Sequence, residues 1–427
     1  MKVALILIGG IADRSQEQLG WRTPLQVATL PNLDALASAG ACGHVYPLAP
    51  GICPETGEAL WEILGYGERG YPGRTSIEAA GAGVVVEPGE VVFRVDLAIT
   101  MVDGGKRYVQ TAPAHLQEEQ AGRIADSLST YEAEHFASRL IHLGGPLMAL
   151  GLSGGASRHV SDSDPVFYRL PIPEIVPLAG NGAEASRTAR ELSRFSEWAA
   201  GVLESHPVNA ERKSEAKPAI NHALIKWPSI RPEVPRFSEA WGFDGVLVGA
   251  GVLHSGLAQT LGFEYREVKS SDAGEELYNR LLAAREALDA GFDFAFVHSE
   301  AADIVSRGGR PRRKVRTLEE LDLSLTAVRE HLAPDPELLT IITSEHTSPS
   351  GGTGEVIHSG ESVPLVVVGR NARLDQVASF DEISCLAGSI GQVPGRDLMQ
   401  LALNLADRAC LGISRLGPHK RPYRPRA

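Results

Sequence analysis

Apolar runs of strand length recur at residues 3–8, 245–248, 293–297, 338–343 and 365–368, with helically spaced apolar positions between them at 32–39, 275–290 and 318–331. Continuous apolar strands alternating with amphipathic helices predict a mostly parallel sheet covered on both faces, since a strand buried on two sides has no polar face to alternate with. The middle of the chain breaks this rhythm. From about residue 74 to 237 the segments shorten and turns punctuate them, and Trp227-Pro228 through Pro232, Pro235 and Phe237 read as a proline-rich return linker. The pattern predicts an α/β core in two parts, 1–75 and 236–414. A smaller α+β domain, 76–235, is inserted between them as a substrate or cap domain. A basic, proline-rich tail follows at 415–427.

Composition narrows the class. The chain has 427 residues, 43% of them hydrophobic, enough to bury a large core. Asp and Glu outnumber Lys and Arg by 53 to 41 and no long basic stripe occurs, so nucleic acid is not expected as a partner. The first apolar run is too short to span a bilayer and lacks a basic leader, which predicts a cytoplasmic protein without a membrane partner. Cys42, Cys53, Cys385 and Cys410 are widely spaced with no Cys-x-x-Cys, as expected of reduced thiols.

Three polar clusters sit where apolar strands give out: His298 to Asp303, Glu345 with His346, and His358. Carboxylates and imidazoles gathered at strand ends of an open α/β sheet are the usual makings of a metal-assisted phosphoryl-transfer site. Adjacent Glu345 and His346 point apart along an extended backbone and offer a hard and a borderline ligand. Asp303 and Arg307, four apart, form either a surface ion pair or a carboxylate beside a guanidinium held for a phosphate. Thr56 precedes a helix-like stretch at 59–64, so its hydroxyl is either an N-cap or a nucleophile at a helix N-terminus.

Collinear segments extend these readings. They include Thr23-Pro24-Leu25, TLPNLDALA at 29–37, Leu64-Gly65-Tyr66, EAAGAG at 78–83, Phe93-Arg94, SDSDP at 161–165, HPVN at 206–209 with Arg212, and HSGESVP at 358–364. Together they make the chain similar to the archaeal-type, cofactor-independent phosphoglycerate mutases of the alkaline phosphatase superfamily. The resemblance implies an alkaline-phosphatase-like fold in which Asp303 and His358 hold one divalent ion and His346 the other. Glu345 stands where the family has Asp, and Thr56 stands at the phosphorylated serine. Arg94, Asp162, Asp164, His206, Asn209 and Arg212 correspond to the substrate region.

Four positions depart from the family pattern. Gly9 replaces an Asp ligand of one ion, Arg307 a His ligand of the other, Gly57 an Asp after the nucleophile, and Ser255 a lysine of the substrate region. Each ion has lost a side-chain ligand, so the expectation is one divalent ion (Mn, Mg or Zn) rather than two. The leading expectation is a phosphoryl- or phosphonyl-transfer enzyme acting on a small phosphorylated carboxylic acid, with Thr56 and Arg307 catalytic, diverged from the glycolytic reaction. A non-catalytic homologue that binds a phosphorylated metabolite or partner protein is one alternative, and an ordinary phosphoglycerate mutase with relocated ligands is another.

Overall fold

The computed structural model describes residues 1–166, 170–178, 180, 182–351 and 356–409. The expected basic tail and Cys410 lie outside the described residues. In chain order the strands are β1 (Lys2–Ile8), β2 (Ala41–Tyr46), β3 (Val91–Asp103), β4 (Lys106–Thr111), β5 (Ala137–Gly144), β6 (Leu147–Ser153), β7 (His222–Ile230), β8 (Gly245–Gly249), β9 (Glu264–Glu267), β10 (Phe294–Ser299), β11 (Leu338–Thr343), β12 (Val363–Val368) and β13 (Gly391–Pro394). The chain divides into two compact units, Met1–Tyr71 with Val234–Ala427, and Pro72–Glu233.

The first unit is built on an eight-stranded sheet of order β13-β2-β12-β11-β1-β10-β8-β9. Every pairing is parallel except the two made by β12. β1 is buried from Val3 through Ile8 and pairs on both sides, with β10 and β11. That double burial is why its sequence is an unbroken aliphatic run. The helix Ala273–Asp289 turns Leu277, Leu281, Ala284 and Leu288 inward and starts on Asp272, whose side chain accepts from the Glu275 amide at 2.8 Å. The apolar stretch at 318–331 belongs to a helix that begins earlier, Pro311–Ser324 with proline in its first turn, followed by a π-helical turn at Val328–Leu332.

Registers fix where the chemistry gathers. Leu7 lies opposite both His298 and Thr343, so β10, β1 and β11 end side by side at their carboxyl edges. Beyond those ends come Gly9, the helix Ala301–Ser306 bearing Asp303, and the Ser344-Glu345-His346 turn. Ligands in open α/β sheets bind at such edges.

The second unit is antiparallel. β3 pairs with β4, β6 and β7, and β6 also with β5. Leu150, Leu152 and Ile225 pack with Ile124 and Leu128 of the helix Glu118–Leu128 and with Leu192 and Phe195 of the helix Gly182–Glu204. Trp227 and Pro228, expected in a linker, instead lie inside β7. That strand pairs with β3 alone, so the missing proline amide costs no ladder bond on its free side, and the Trp227 backbone at φ 54° marks a register shift. No helix among the described residues is long and apolar enough to cross a membrane.

Candidate active site

Thr56 opens the helix Thr56–Ile63 but does not cap it. The cap is Glu55, whose carboxylate accepts from the Glu58 amide at 3.2 Å, so the N-cap expectation for Thr56 is corrected by one residue. Freed from capping, the buried Thr56 hydroxyl stands 3.4 Å from His346 Nε2. Gly57 follows for a packing reason: a Cβ there would lie 2.3 Å from the Tyr71 hydroxyl, which donates to Glu55 at 3.0 Å. An acidic side chain at 57 would not fit that contact.

Asp303, His346 and His358 each bring one donor atom into a group spanning no more than 4.8 Å. Their outer atoms settle which atoms face inward. The Ser348 hydroxyl donates to Asp303 Oδ1 at 2.7 Å, so at 3.0 Å it accepts from His346 Nδ1–H, leaving the Nε2 lone pair inside. His358 Nδ1 donates to the Pro54 carbonyl at 3.0 Å, which again turns the Nε2 lone pair inward, 3.3 Å from Asp303 Oδ1. His358 Nε2 and Glu345 Oε1 are buried without hydrogen-bond partners. A ring of acceptors facing one another is what a divalent cation requires, and this donor set fits one.

Arg307 reaches Asp303 from outside. Its Nη2 meets Asp303 Oδ2 at 2.5 Å while the side chain stays 54% exposed, so the guanidinium caps the outer carboxylate oxygen and leaves the inner one to the cluster. Burial alone would raise the Asp303 carboxyl. The close approach of His358, with the neighbouring His346 and Arg307, overcomes it and holds the group well below the usual carboxylate range. Burial also works against protonation of His358, but Asp303 more than offsets it and raises that imidazole above its ordinary value.

Glu345 is fully buried and meets two imidazoles, His298 Nε2 at 3.1 Å and His346 Nε2 at 3.2 Å. These are close approaches without hydrogen-bond alignment, since His298 Nε2 and Glu345 Oε1 both lack a hydrogen-bond partner. Despite the cost of burial, the two imidazoles keep the carboxyl well below its usual range. A Cβ on Gly9 would lie 2.5 Å from Glu345 Oε1, so the longer carboxylate at 345 fills the corner that a side chain at 9 would need.

Behind the cluster, Lys314 is fully buried and ties the two loops together. Its ammonium donates to the Ala12 and Ser348 carbonyls at 2.9 and 2.7 Å and faces Asp13 at 3.2 Å. His298, Ser348 and Lys314 carry roles that the sequence reading does not assign. Ser348, a hydroxyl two residues after a candidate ligand, had a local signal; Lys314, in the first turn of a helix, had none.

The remaining candidates lie in the second unit, where local partners account for most of them. Arg94 is buried against Glu78 and Asp96, with its Nε 2.8 Å from Asp96, so carboxylates of its own unit already meet the charge expected to serve a substrate anion. His206 caps the helix Pro207–Ser214, accepting from the Val208 amide at 3.2 Å. Asn209 spans the Leu203 and Ile220 carbonyls at 2.7 Å each, and Arg212 donates to the Pro218 and His115 carbonyls. All three brace backbone of their own unit that would otherwise be buried unpaired. Asp164 pairs with Lys226 at 2.8 Å. Asp162 accepts from the Trp227 amide at 3.1 Å, and burial pushes its carboxyl up to about 6. Ser255, in place of the family lysine, donates to the Val252 carbonyl in its own helix.

A family profile described as 2,3-bisphosphoglycerate-independent phosphoglycerate mutase matches residues 37–209. The 2,3-bisphosphoglycerate-independent phosphoglycerate mutase 2 of Methanocaldococcus jannaschii is 34% identical over 100% of this chain and 98% of its own length. The 2,3-bisphosphoglycerate-independent phosphoglycerate mutase of Methanopyrus kandleri is 33% identical over 95% of this chain and 97% of its own. Among solved structures, the PH0037 protein of Pyrococcus horikoshii superposes with a TM-score of 0.76 at 26% identity, covering 96% of this chain and 99% of that one. The cofactor-independent phosphoglycerate mutase of Thermoplasma acidophilum gives 0.60 at 27% identity, covering 95% of this chain and 100% of that one. The chain belongs to the 2,3-bisphosphoglycerate-independent phosphoglycerate mutase family.

Proposed function

We propose that this protein moves a phosphoryl group between hydroxyls of a small phosphorylated hydroxy acid, with Thr56 as the group that is transiently phosphorylated. The observation that carries this reading is the Thr56 hydroxyl, buried at a helix N-terminus 3.4 Å from a lone-pair-bearing imidazole nitrogen and beside a ring of inward-facing acceptors. Phosphoglycerate is the first substrate to try, because the full-length relatives carry the name of that reaction.

Asp303, His346, His358 and Glu345 would hold divalent metal, which in such a site supplies positive charge for phosphate oxygens and a lowered hydroxyl pKa. The residues of the chain do the rest. Ser348 fixes the His346 ring so that Nε2 faces the cluster, 3.4 Å from the Thr56 hydroxyl, which keeps that hydroxyl beside the charge the cluster would hold. Thr56 opens its helix, and helix N-termini favour phosphate, although the Glu58 amide of this one is already taken by the Glu55 cap. Arg307, anchored on Asp303 and half exposed, sets a fixed positive charge at the outer side of the cluster. In each half-reaction a P–O bond to the departing oxygen breaks as one to the attacking oxygen forms. Thr56 first receives the phosphoryl group and later returns it to the other hydroxyl, so atoms and charge balance over the cycle.

The test is direct. Protein supplied with manganese and 3-phosphoglycerate, followed by phosphorus NMR, is expected to yield 2-phosphoglycerate. No conversion of this or of a panel of phosphorylated hydroxy acids, with Thr56 never phosphorylated, would remove the reading.

A further inference from the structure

Residues 307–316 include six that are basic, and the fold uses them in two ways. Arg307 is anchored on Asp303, and the buried Lys314 is held by the Ala12 and Ser348 carbonyls. The other four, Arg310, Arg312, Arg313 and Arg316, are exposed, and among the described residues none of them makes an ion pair. Their one side-chain hydrogen bond among those residues runs from Arg312 Nη2 to the Gln18 carbonyl at 3.4 Å. Arginines elsewhere on the same unit behave differently. Arg285 pairs with Asp289 and Asp335, and Arg370 with Glu337 and Asp407.

Four unpaired guanidiniums in this place work against the local structure. Arg316 follows Arg312 and Arg313 at spacings where like charges on a helix repel. The helix Pro311–Ser324 also turns the positive end of its dipole toward them, and its N-cap, Arg310, makes no side-chain capping bond. Acidic partners are not scarce in a chain of formal net charge -12, yet these arginines have none. With Gln18 and Glu320 they line a cavity of about 680 Å³, a size that suits a small ligand. Glu320 is the one carboxylate residue in that lining. Pro311 has no amide proton, and the Arg313 and Lys314 amides go to the Arg310 carbonyl at 2.9 and 3.3 Å. An anion in the cavity therefore meets guanidinium forks and not a free helix terminus.

We propose that Arg310, Arg312, Arg313 and Arg316 form a binding site for an oligophosphate, a chain of linked phosphoryl groups, separate from the candidate active site. The donors set the ligand class. Each guanidinium offers paired N–H groups in a plane that match two oxygens of a phosphoryl group. Four of them carry more charge than one phosphate group, at about -1.5 to -2, balances. Adjacent Arg313 and Lys314 part company: the first lines the cavity, and the second is buried against the Ser348 carbonyl behind the metal-binding candidates. Different faces of one helical turn thus serve the two sites. The phosphate chain arrives either free or carried by a nucleoside, and the lining recognises the chain itself.

Calorimetric titration of the full-length, chelator-stripped protein with tripolyphosphate, in buffer free of divalent ions, tests this without any turnover. One equivalent is expected to bind at least about tenfold more tightly than inorganic phosphate. The double variant Arg312→Ala with Arg316→Ala is expected to weaken that binding at least about tenfold, and Arg307→Ala to keep it. Each variant is checked by thermal melt without ligand, and Arg310→Gln with Arg313→Gln replaces the first pair if that pair does not fold. ATP that binds at least as tightly as tripolyphosphate identifies a nucleoside-borne chain as the ligand, and ATP that binds less tightly a free one; both results keep the site. No uptake, uptake no tighter than that of inorganic phosphate, or uptake that the double variant retains overturns the inference. So does loss of binding in Arg307→Ala, which would place the anion at the candidate active site, and so does displacement by a poly-aspartate peptide that binds more tightly, which would make an acidic protein the occupant.

Discussion

Thr56 and His346 lie 290 residues apart in the chain, yet their buried hydroxyl and imidazole nitrogen meet at 3.4 Å. The pairing depends on two neighbours. Glu55 takes over the capping of the Thr56 helix, and Ser348 holds the far nitrogen of His346. A hydroxyl relieved of capping and faced by a lone pair is chemically available. Thr56→Ala is expected to lower phosphoryl transfer by about a thousandfold or more, whereas Thr56→Ser stays within about tenfold of wild type. Product formation by phosphorus NMR and retention of label on the protein measure both. Full activity in the alanine variant would remove Thr56 from the chemistry.

Ser348 joins Asp303 to His346 through one hydroxyl. Ser348→Ala frees the His346 ring to flip and leaves Asp303 Oδ1 short of a donor. Manganese affinity should fall by about ten- to a hundredfold, the usual cost of losing a partner behind a metal ligand, while Ser348→Thr restores it. Calorimetric titration of the stripped protein reads the change, and an unaltered affinity in the alanine variant would show that the hydroxyl does not position the ring.

Arg307 is half exposed, so its pairing with Asp303 is screened by water and contributes under about 1 kcal/mol to folding. Its fixed charge beside the cluster matters more for an anionic substrate. Arg307→Ala is expected to leave the melting temperature nearly unchanged and to raise KM at least about tenfold. Equal kinetics would return the residue to the status of a surface ion pair.

Glu382 lies buried behind the loops, accepting from Thr23 at 2.6 Å and from the Asp13 amide at 2.8 Å. Burial pushes its carboxyl up to about 7, against the hydrogen bonds and Lys314, which pull it down. Between its ordinary value near 4.5 and about 7, the folded protein keeps a proton that the unfolded chain has released. This group therefore makes stability fall as pH rises through that window, by on the order of 3 kcal/mol. Urea unfolding at pH 5 and 7.5 should show a smaller fall for Glu382→Gln than for wild type. Parallel pH dependence in the two proteins would contradict it.

Much of the fold is legible in the chain because burial on both faces writes itself as continuous apolar runs: β1, β10 and β11 are recognisable, and so are the polar residues at which each one stops. Pattern alone misplaces Trp227 and Pro228, since an edge strand tolerates what a central strand would not. Nor does pattern show that His206, Asn209 and Arg212, which the resemblance places in the substrate region, brace backbone of their own unit. The residue types of the candidate metal cluster were therefore determined by the sequence itself, as were the strand ends that present them. Which nitrogen of His298, His346 or His358 faces inward was decided only by tertiary structure, because the groups that claim the other nitrogen, His254, Ser348 and the Pro54 carbonyl, reach it through the folded arrangement. Likewise, only the folded chain shows that the carboxylate of Glu345 occupies the corner beside Gly9, since two positions so far apart in sequence share a volume only after the strands have aligned.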